Sequence, residues 1–250
     1  MILYPNAKIN IGLNILKKRD DGYHSISSVF YPLHDMCDIL EVIPSDTFSF
    51  SSTGIKIIGS KNICEQAFEL LKSKHNISNV KIHLHKCIPI GAGLGGGSSD
   101  AAFLLKGLND MFSLNLSNKE LKEYALNLGA DCPFFIDNTP KYVEGVGEKM
   151  RDVNLDLSGY EIRIADPNIH ISTKEAYDNI HPTFPNHELL ELINLPVEFW
   201  KDKVINDFEK NIFNTHPKLV KIKQDFYQKG ALYSSMSGSG SVIYAIFDKK

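Results

Sequence analysis

The residues Pro89, Ile90, Gly91, Ala92, Gly93, Leu94, Gly95, Gly96, Gly97, Ser98 and Ser99 could bind an anion with their backbone, because five of the seven positions from Gly91 to Gly97 are glycine. Glycine removes the β-carbons that keep a bulky anion off the main chain. It also tolerates positive φ, so successive N–H groups can converge on one ligand. A strand-like run precedes the stretch. An apolar, helix-forming segment beginning near Ser98 or Ser99 follows it and adds unsatisfied amides and the positive end of a helix dipole. Each such contribution is worth about 0.3–1 kcal/mol, so many must sum, and the amount of charge involved suggests a polyphosphate.

Other phosphate loops fit less well. A Walker A loop would close with Gly-Lys-Ser/Thr, and the nearest lysines, Lys86 and Lys106, lie outside the glycine run. Gly91, Gly93 and Gly96 have the G-x-G-x-x-G spacing of a dinucleotide fold. That fold wants a second strand ending in an acidic residue about 20 positions on, whereas Ser117 to Leu128 reads as another helix and Asp110 lies between the two. A flexible linker would not lead into a helix with Ala101, Leu104, Leu105 and Leu108 at helical spacing.

Three further groups carry chemistry. On a strand from Lys8 to Leu16, alternation puts Ala7, Ile9, Ile11, Leu13 and Ile15 on one face and Lys8, Asn10, Gly12 and Asn14 on the other. The polar face is either an ordinary solvent face or a functional one, and Gly12 would leave room for a ligand or a close backbone. Asp131 follows Gly129, an expected helix C-cap, and precedes Cys132 and Pro133, so by itself it reads as a cap for the next turn. His83, His85 and Cys87 share a strand face in a way that suggests metal ligands, but three side chains on one flat face diverge, and no fourth ligand is signalled. Ser237 to Ser241 could be a hairpin turn or a second backbone surface facing phosphates. Neither serine motif has the Gly-x-Ser-x-Gly elbow of a hydrolase.

The elements that must position these groups are legible as an α+β pattern. Strands are expected at Ser25 to Leu33, Asp38 to Ile43, Thr47 to Ser51, Val80 to Ile88, Lys141 to Glu144, Glu161 to Ala165, Ala231 to Met236 and Val242 to Phe247. Helices are expected at Lys61 to Lys74, Asp100 to Met111, Ser117 to Leu128, Lys174 to Ile180, His187 to Ile193, Asp207 to Phe213 and Pro217 to Lys229. Ser117 and Glu120 form a capping box. With 250 residues the chain can form one large domain or two smaller ones, with a soft boundary near Asp152 to Gly159. A net charge of −3 with interspersed signs gives no nucleic-acid patch. Cys37, Cys64, Cys87 and Cys132 lack Cys-x-x-Cys spacing and fit reduced thiols. Ile9 to Leu16 lacks the order of a signal peptide, and no run approaches the roughly 20 apolar residues of a membrane span, so a cytoplasmic location is expected.

Taken together, Pro5 to Asn10, Pro89 to Ala102 and Met236 to Gly240 resemble, in order, the three motifs of the GHMP small-metabolite kinases, the superfamily of galactokinase, homoserine kinase and mevalonate kinase. Asp21 to His24 and Leu128 to Pro133 are similar to the branch whose acceptor is a cytidine-diphosphate-linked methylerythritol, phosphorylated on its 2-hydroxyl in non-mevalonate isoprenoid synthesis. The resemblance runs from Pro5 to about Phe247. It implies a two-domain α+β fold: residues 1–155 form a ribosomal-protein-S5-domain-2-like amino half with a left-handed β-α-β unit, and residues 156–250 form a ferredoxin-like carboxyl half that completes the active-site cleft.

The same resemblance implies roles. Asp131 would be the catalytic carboxylate and Lys8 its cationic partner, Asn10 would position substrate, and Pro89 to Ser99 would hold ATP, accompanied by Mg²⁺ with no assignable ligand. Tyr23 and His24 would meet the cytosine ring, with Phe30 supporting that pocket and Tyr177 as a second aromatic. A monomer or homodimer is implied. The chain departs from the pattern in having Asn6 where the usual motif runs Pro-Ala-Lys, and in a shorter carboxyl half. Two alternatives stay open at this stage. Another kinase of the superfamily would have no use for Asp21 to His24, and a non-catalytic nucleotide-binding module would have no use for both Lys8 and Asp131.

Overall fold

The computed structural model describes residues 1–59, 61–178, 180, 182–185 and 187–249. The chain forms two compact units. The first comprises Met1–Lys8, Pro32–Ile90 and Gly95–Thr139, and the second comprises Ile9–Tyr31, Gly91–Leu94 and Pro140–Lys250. In chain order the elements are β1 (Ile2–Leu3), β2 (Asn6–Lys18), β3 (His24–Cys37), β4 (Ile39–Pro44), β5 (Ser49–Gly54), α1 (Ile63–Lys74), β6 (Val80–Lys86), α2 (Gly96–Met111), α3 (Asn118–Leu128) and α4 (Cys132–Asp137). They continue with β7 (Lys141–Gly145), β8 (Lys149–Asp152), β9 (Tyr160–Ala165), α5 (Thr173–Tyr177), α6 (Leu189–Leu192), a 3₁₀ turn (Val197–Phe199), α7 (Asp207–Thr215), α8 (Pro217–Gln228), β10 (Tyr233–Met236) and β11 (Ile243–Asp248).

The first unit sets α1 to α4 with a four-stranded sheet of order β1-β4-β6-β5, in which β4 runs antiparallel and β5 parallel to β6. Strand β6 alternates as a one-sided strand should: Val80, Ile82, Leu84 and Lys86 are buried and Lys81 and His85 are exposed. Helices α1 and α3 both open with capping boxes, Asn62 with Glu65 and Ser117 with Glu120. Helix α2 buries Ala101, Ala102, Leu104, Leu105 and Leu108. It begins at Gly96, ahead of the expected start near Ser98 or Ser99 and of the expected range from Asp100, with Gly95 as a left-handed N-cap at φ 69°.

The second unit holds residues 9–18 of β2 and 24–31 of β3 in a sheet of order β2-β3-β7-β8, and an antiparallel sheet of order β10-β11-β9. Leu13, Ile15, Ile26, Phe208, Ile212, Met236 and Ile243 share one of its apolar cores. The expected helices at Lys174 to Ile180 and His187 to Ile193 shorten to α5 and α6, with Asn179 outside the described residues. Strands β1 and β8 and helix α4 were not anticipated. All three are short, and α4 has the brief apolar run of Phe134, Phe135 and Ile136 with no room for a periodicity to show. Among the described residues no helix is long and apolar enough to cross a membrane, and all four cysteines are free.

Candidate active site

Strand β2 is buried on both sides: Lys8, Asn10 and Asn14 are as inaccessible as the aliphatic residues between them. The polar face is therefore not a solvent face. The room at Gly12 goes to neither a ligand nor a backbone. A β-carbon there would lie 2.7 Å from Leu189 Cδ1 and 3.2 Å from Val204 Cγ1.

In the first unit, Asp131 stands at the N-cap of α4 but does not cap it. Its backbone is helical, at φ −82° and ψ −17°, and its side chain makes no capping bond. The carboxylate instead places Oδ2 3.5 Å from Lys8 Nζ, with the lysine side chain 4% and the aspartate 34% accessible. Burial pulls the Lys8 ammonium below its ordinary pKa, and the charge and hydrogen bonding of Asp131 pull it back up. The arrangement is a desolvated cation with a carboxylate that keeps a face open. Asn6, the residue that departs from the usual motif, forms a reciprocal amide pair with Asn138 at the end of α4: Asn6 Nδ2 donates to Asn138 Oδ1 at 3.2 Å, and Asn138 Nδ2 donates to Asn6 Oδ1 at 2.7 Å. The start of the Lys8 strand is thus tied to the helix that Asp131 begins.

The glycine segment reaches the same lysine. A β-carbon on Gly95 would stand 3.1 Å from both Cγ and Cε of Lys8 and 3.0 Å from Phe135 Cζ, so only glycine fits against this stem without displacement. Next to Asp131, the Cys132 thiol is raised to about 11, mainly by burial with Asp131 adding and the Ser98 hydroxyl opposing, so it stays protonated at neutral pH. Ser99 Oγ is buried with no hydrogen-bond partner.

The loop's own backbone has an anion-binding shape. Gly91, Gly93 and Gly95 have φ of 65°, 82° and 69°, while Ala92 and Leu94 do not join them at positive φ. Alternation of this kind is the backbone pattern from which anion-binding nests are built. In the second unit, the turn between β10 and β11 buttresses it. Ser237 Oγ donates to the Gly93 carbonyl at 2.7 Å and accepts the Asn10 amide at 3.1 Å. The contact is so close that a β-carbon on Gly93 would lie 1.9 Å from the Ser237 carbonyl oxygen. Ser237 to Ser241 is therefore both a hairpin turn and a surface against the glycine segment. Asn206, which the sequence did not single out, fixes that turn by donating to the Met236 and Gly238 carbonyls, each at 2.8 Å.

The second unit also holds the proposed base-reading residues. His24 stacks on Tyr177, with ring centroids 4.8 Å apart and planes 21° apart, and Phe208 supports Tyr177 edge-on at 4.9 Å. Burial and then Lys18 lower the His24 pKa, which favours a neutral ring. Tyr23 is 65% exposed at the turn, and Phe30 is buried on β3. The asparagine side chain of Asn10 donates to Ser28 Oγ at 3.0 Å. His83 shares its ring nitrogens with Ser51 and Thr53, and His85 with Thr53. Among the described residues no three His, Cys, Asp or Glu are grouped to hold a metal ion.

Residues 62–138 match the family model for the GHMP kinases N terminal domain, and residues 187–250 match that for the GHMP kinases C terminal. The chain is similar to 4-diphosphocytidyl-2-C-methyl-D-erythritol kinase of Azobacteroides pseudotrichonymphae, at 48% identity over 100% of this chain and 94% of the other. It is similar to the protein of the same name from Bacteroides thetaiotaomicron, at 49% over 99% and 92%. Among solved structures it resembles a 4-(cytidine 5'-diphospho)-2C-methyl-D-erythritol kinase, with a TM-score of 0.81 and 30% identity over 98% and 90% of the two chains. A homoserine kinase from Cytophaga hutchinsonii, at a TM-score of 0.65 and 17% identity over 98% and 86%, shares the fold.

Proposed function

The chain belongs to the GHMP kinases, and within them to the 4-diphosphocytidyl-2-C-methyl-D-erythritol kinases; from this we propose that Lys8 and Asp131 are the groups at which it transfers phosphate from ATP to the 2-hydroxyl of that cytidine-diphosphate-linked alcohol. The observation that carries the reading is the Asp131 carboxylate, not engaged in capping, 3.5 Å from a buried lysine against which Gly95 is closely placed.

The acceptor is a tertiary alcohol, which holds its proton far more tightly than a carboxylate does. Asp131 therefore does not deprotonate it in the ground state. In a loose transition state the hydroxyl becomes acidic as the P–O bond forms, and Asp131 takes the proton late. Lys8 offsets charge on the transferring group. The amides of Gly91 to Ser99 hold the triphosphate, and Asn10 positions the acceptor. Tyr23 and the His24–Tyr177 stack offer aromatic surfaces to cytosine, and Phe30, buried on β3, supports that pocket in this reading.

Mg²⁺ accompanies the nucleotide in this reading. An ion of this kind takes most of its ligands from phosphates and water, and the unpartnered Ser99 hydroxyl is an oxygen suited to such a ligand or to a phosphate. When bound, the ion neutralises charge on the phosphates. A cytoplasmic monomer or homodimer fits the same reading. A coupled assay of ADP release with the cytidine-diphosphate acceptor, homoserine and mevalonate tests it. Turnover is expected with the first alone, and equal or better turnover with either of the others defeats it.

A further inference from the structure

Asn206, just ahead of α7 in the second unit, is buried, and its side-chain amide does two separate things. Oδ1 accepts the Phe208 amide at 3.0 Å and so caps α7. Nδ2 directs both its protons at the β10–β11 turn, donating to the Met236 and Gly238 carbonyls on either side of Ser237. The turn's own bonds, from the Ser237 amide to the Val242 carbonyl at 2.9 Å and from the Gly240 amide to the Ser237 carbonyl at 3.0 Å, do not use those two oxygens. Neighbouring residues tie the same point to two strands. Asp207 Oδ2 accepts the Ile15 amide of β2 at 2.7 Å, and Glu209 Oε1 accepts the Met236 amide of β10 at 2.8 Å.

The grip matters at Gly93. Ser237 Oγ donates to the Gly93 carbonyl at 2.7 Å, and a planar trans peptide holds the next N–H, that of Leu94, opposite that carbonyl. With φ +82° and no β-carbon, Gly93 has little of its own to stop this peptide from turning over. The Ser237 hydroxyl stops it. That hydroxyl is in turn carried by a segment whose Gly238 and Gly240 have φ of 56° and 91°, a backbone free to take many conformations. Asn206 selects one of them.

We infer that Asn206 is a positioning residue for the nucleotide: it holds Ser237 against the Gly93 carbonyl and thereby keeps the Leu94 N–H in the direction that serves a phosphate. The inference rests on the kinase reading of residues 91–99. Acceptor positioning depends on Asn206 less, because Asn10 has bonds besides the one to Ser237. Tyr244 donates its hydroxyl to the Asn10 carbonyl at 2.9 Å, and Asn10 Nδ2 donates to Ser28 Oγ.

Capping and gripping use different atoms, so substitution separates them. Asn206→Ser keeps a good N-cap and removes both donors, whereas Asn206→Ala removes the cap as well. ATP binding is measured by calorimetry on the whole chain with Mg²⁺ present, with KM for both substrates and a thermal melt on the same preparations. Asn206→Ser should weaken ATP binding and raise KM for ATP roughly five- to tenfold, the worth of about one hydrogen bond, with KM for the acceptor within about twofold. Asn206→Ala should match Asn206→Ser in ATP affinity but melt lower, a split that a capping residue alone would not give. Ser237→Ala should weaken ATP binding by a similar factor, and adding Asn206→Ser to it should weaken binding no further, since both act through one contact. Wild-type ATP affinity in Asn206→Ser, or effects of the two substitutions that add in the double variant, overturns the inference and leaves the kinase reading standing. If Asn206→Ser does not fold, Ser237→Ala decides alone, and unchanged ATP affinity in it overturns the inference. Absence of ATP binding by the wild type overturns both.

Discussion

Asn6 and Asn138 hold each other by two amide hydrogen bonds, at 3.2 and 2.7 Å. Through that pair the first residue of β2, two positions before Lys8, is fastened to the residue that ends the six-residue helix opened by Asp131. Asn138 occupies the left-handed region at φ 56°, which glycine accepts freely. Asn138→Gly should therefore keep the backbone while removing the bonds. A loss of about 1–2 kcal/mol in stability and a several-fold fall in kcat are expected, with KM for ATP little altered. Steady-state kinetics with a thermal melt check this, and wild-type kcat in the variant would show that the pair does not hold Lys8 and Asp131 in place.

Lys8→Met removes the buried cation in a similar volume. Turnover should fall by about 10²-fold or more, as for loss of a preorganised charge-stabilising donor. The stability effect has a definite sign with pH. Burial lowers the folded-state Lys8 pKa below 10.5, so the unfolded chain binds more protons in the window between the two values, and wild-type stability rises with pH there. The stability of Lys8→Met relative to wild type should accordingly be highest near neutral pH and decline as pH approaches 10.5. Denaturant melts across that range measure it, and a gap constant with pH would contradict the desolvated state of Lys8.

Gly93→Ala places a methyl 1.9 Å from the Ser237 carbonyl oxygen at φ +82°. Strain of this kind costs about 1–3 kcal/mol before any steric clash is counted, so Tm should drop by roughly 5 °C or more and KM for ATP should rise. A variant that melts and binds ATP as the wild type does would remove the contact between the β10–β11 turn and the glycine segment from the description.

Much of this was readable from residue order. Apolar periodicity and the Ser117 capping box located α1 and α3 to within two residues at their starts and α2, expected from Asp100, to within four, because their signals are local. Asp131 was ambiguous: its neighbours say cap, and only the fold shows that the carboxylate turns to Lys8 instead. The reciprocal pair of Asn6 with Asn138, the clamp by Asn206 and the ion pairs of Lys86 with Asp38 and Asp100 join residues far apart in sequence, and polar side chains buried by tertiary contacts leave no periodic trace. Gly12 was legible as a close-contact position but not as the seat of Leu189, since a glycine announces space without naming what fills it.

The stack of His24 on Tyr177 should serve the acceptor rather than ATP. Tyr177→Ala is expected to raise KM for the cytidine-diphosphate acceptor by roughly 10- to 100-fold, the usual worth of one stacked base, and to leave KM for ATP within about twofold. Equal effects on both substrates would assign the stack to general folding instead of base recognition.

The most direct measurement is ADP formation with the cytidine-diphosphate acceptor by wild type and Asp131→Asn, with ATP binding measured on the same preparations. The amide keeps the shape of the side chain beside Lys8 but accepts no proton. Turnover should fall by about 10²- to 10⁴-fold while ATP affinity stays within a few-fold. Wild-type turnover in Asp131→Asn would contradict the assignment of Asp131 as the base.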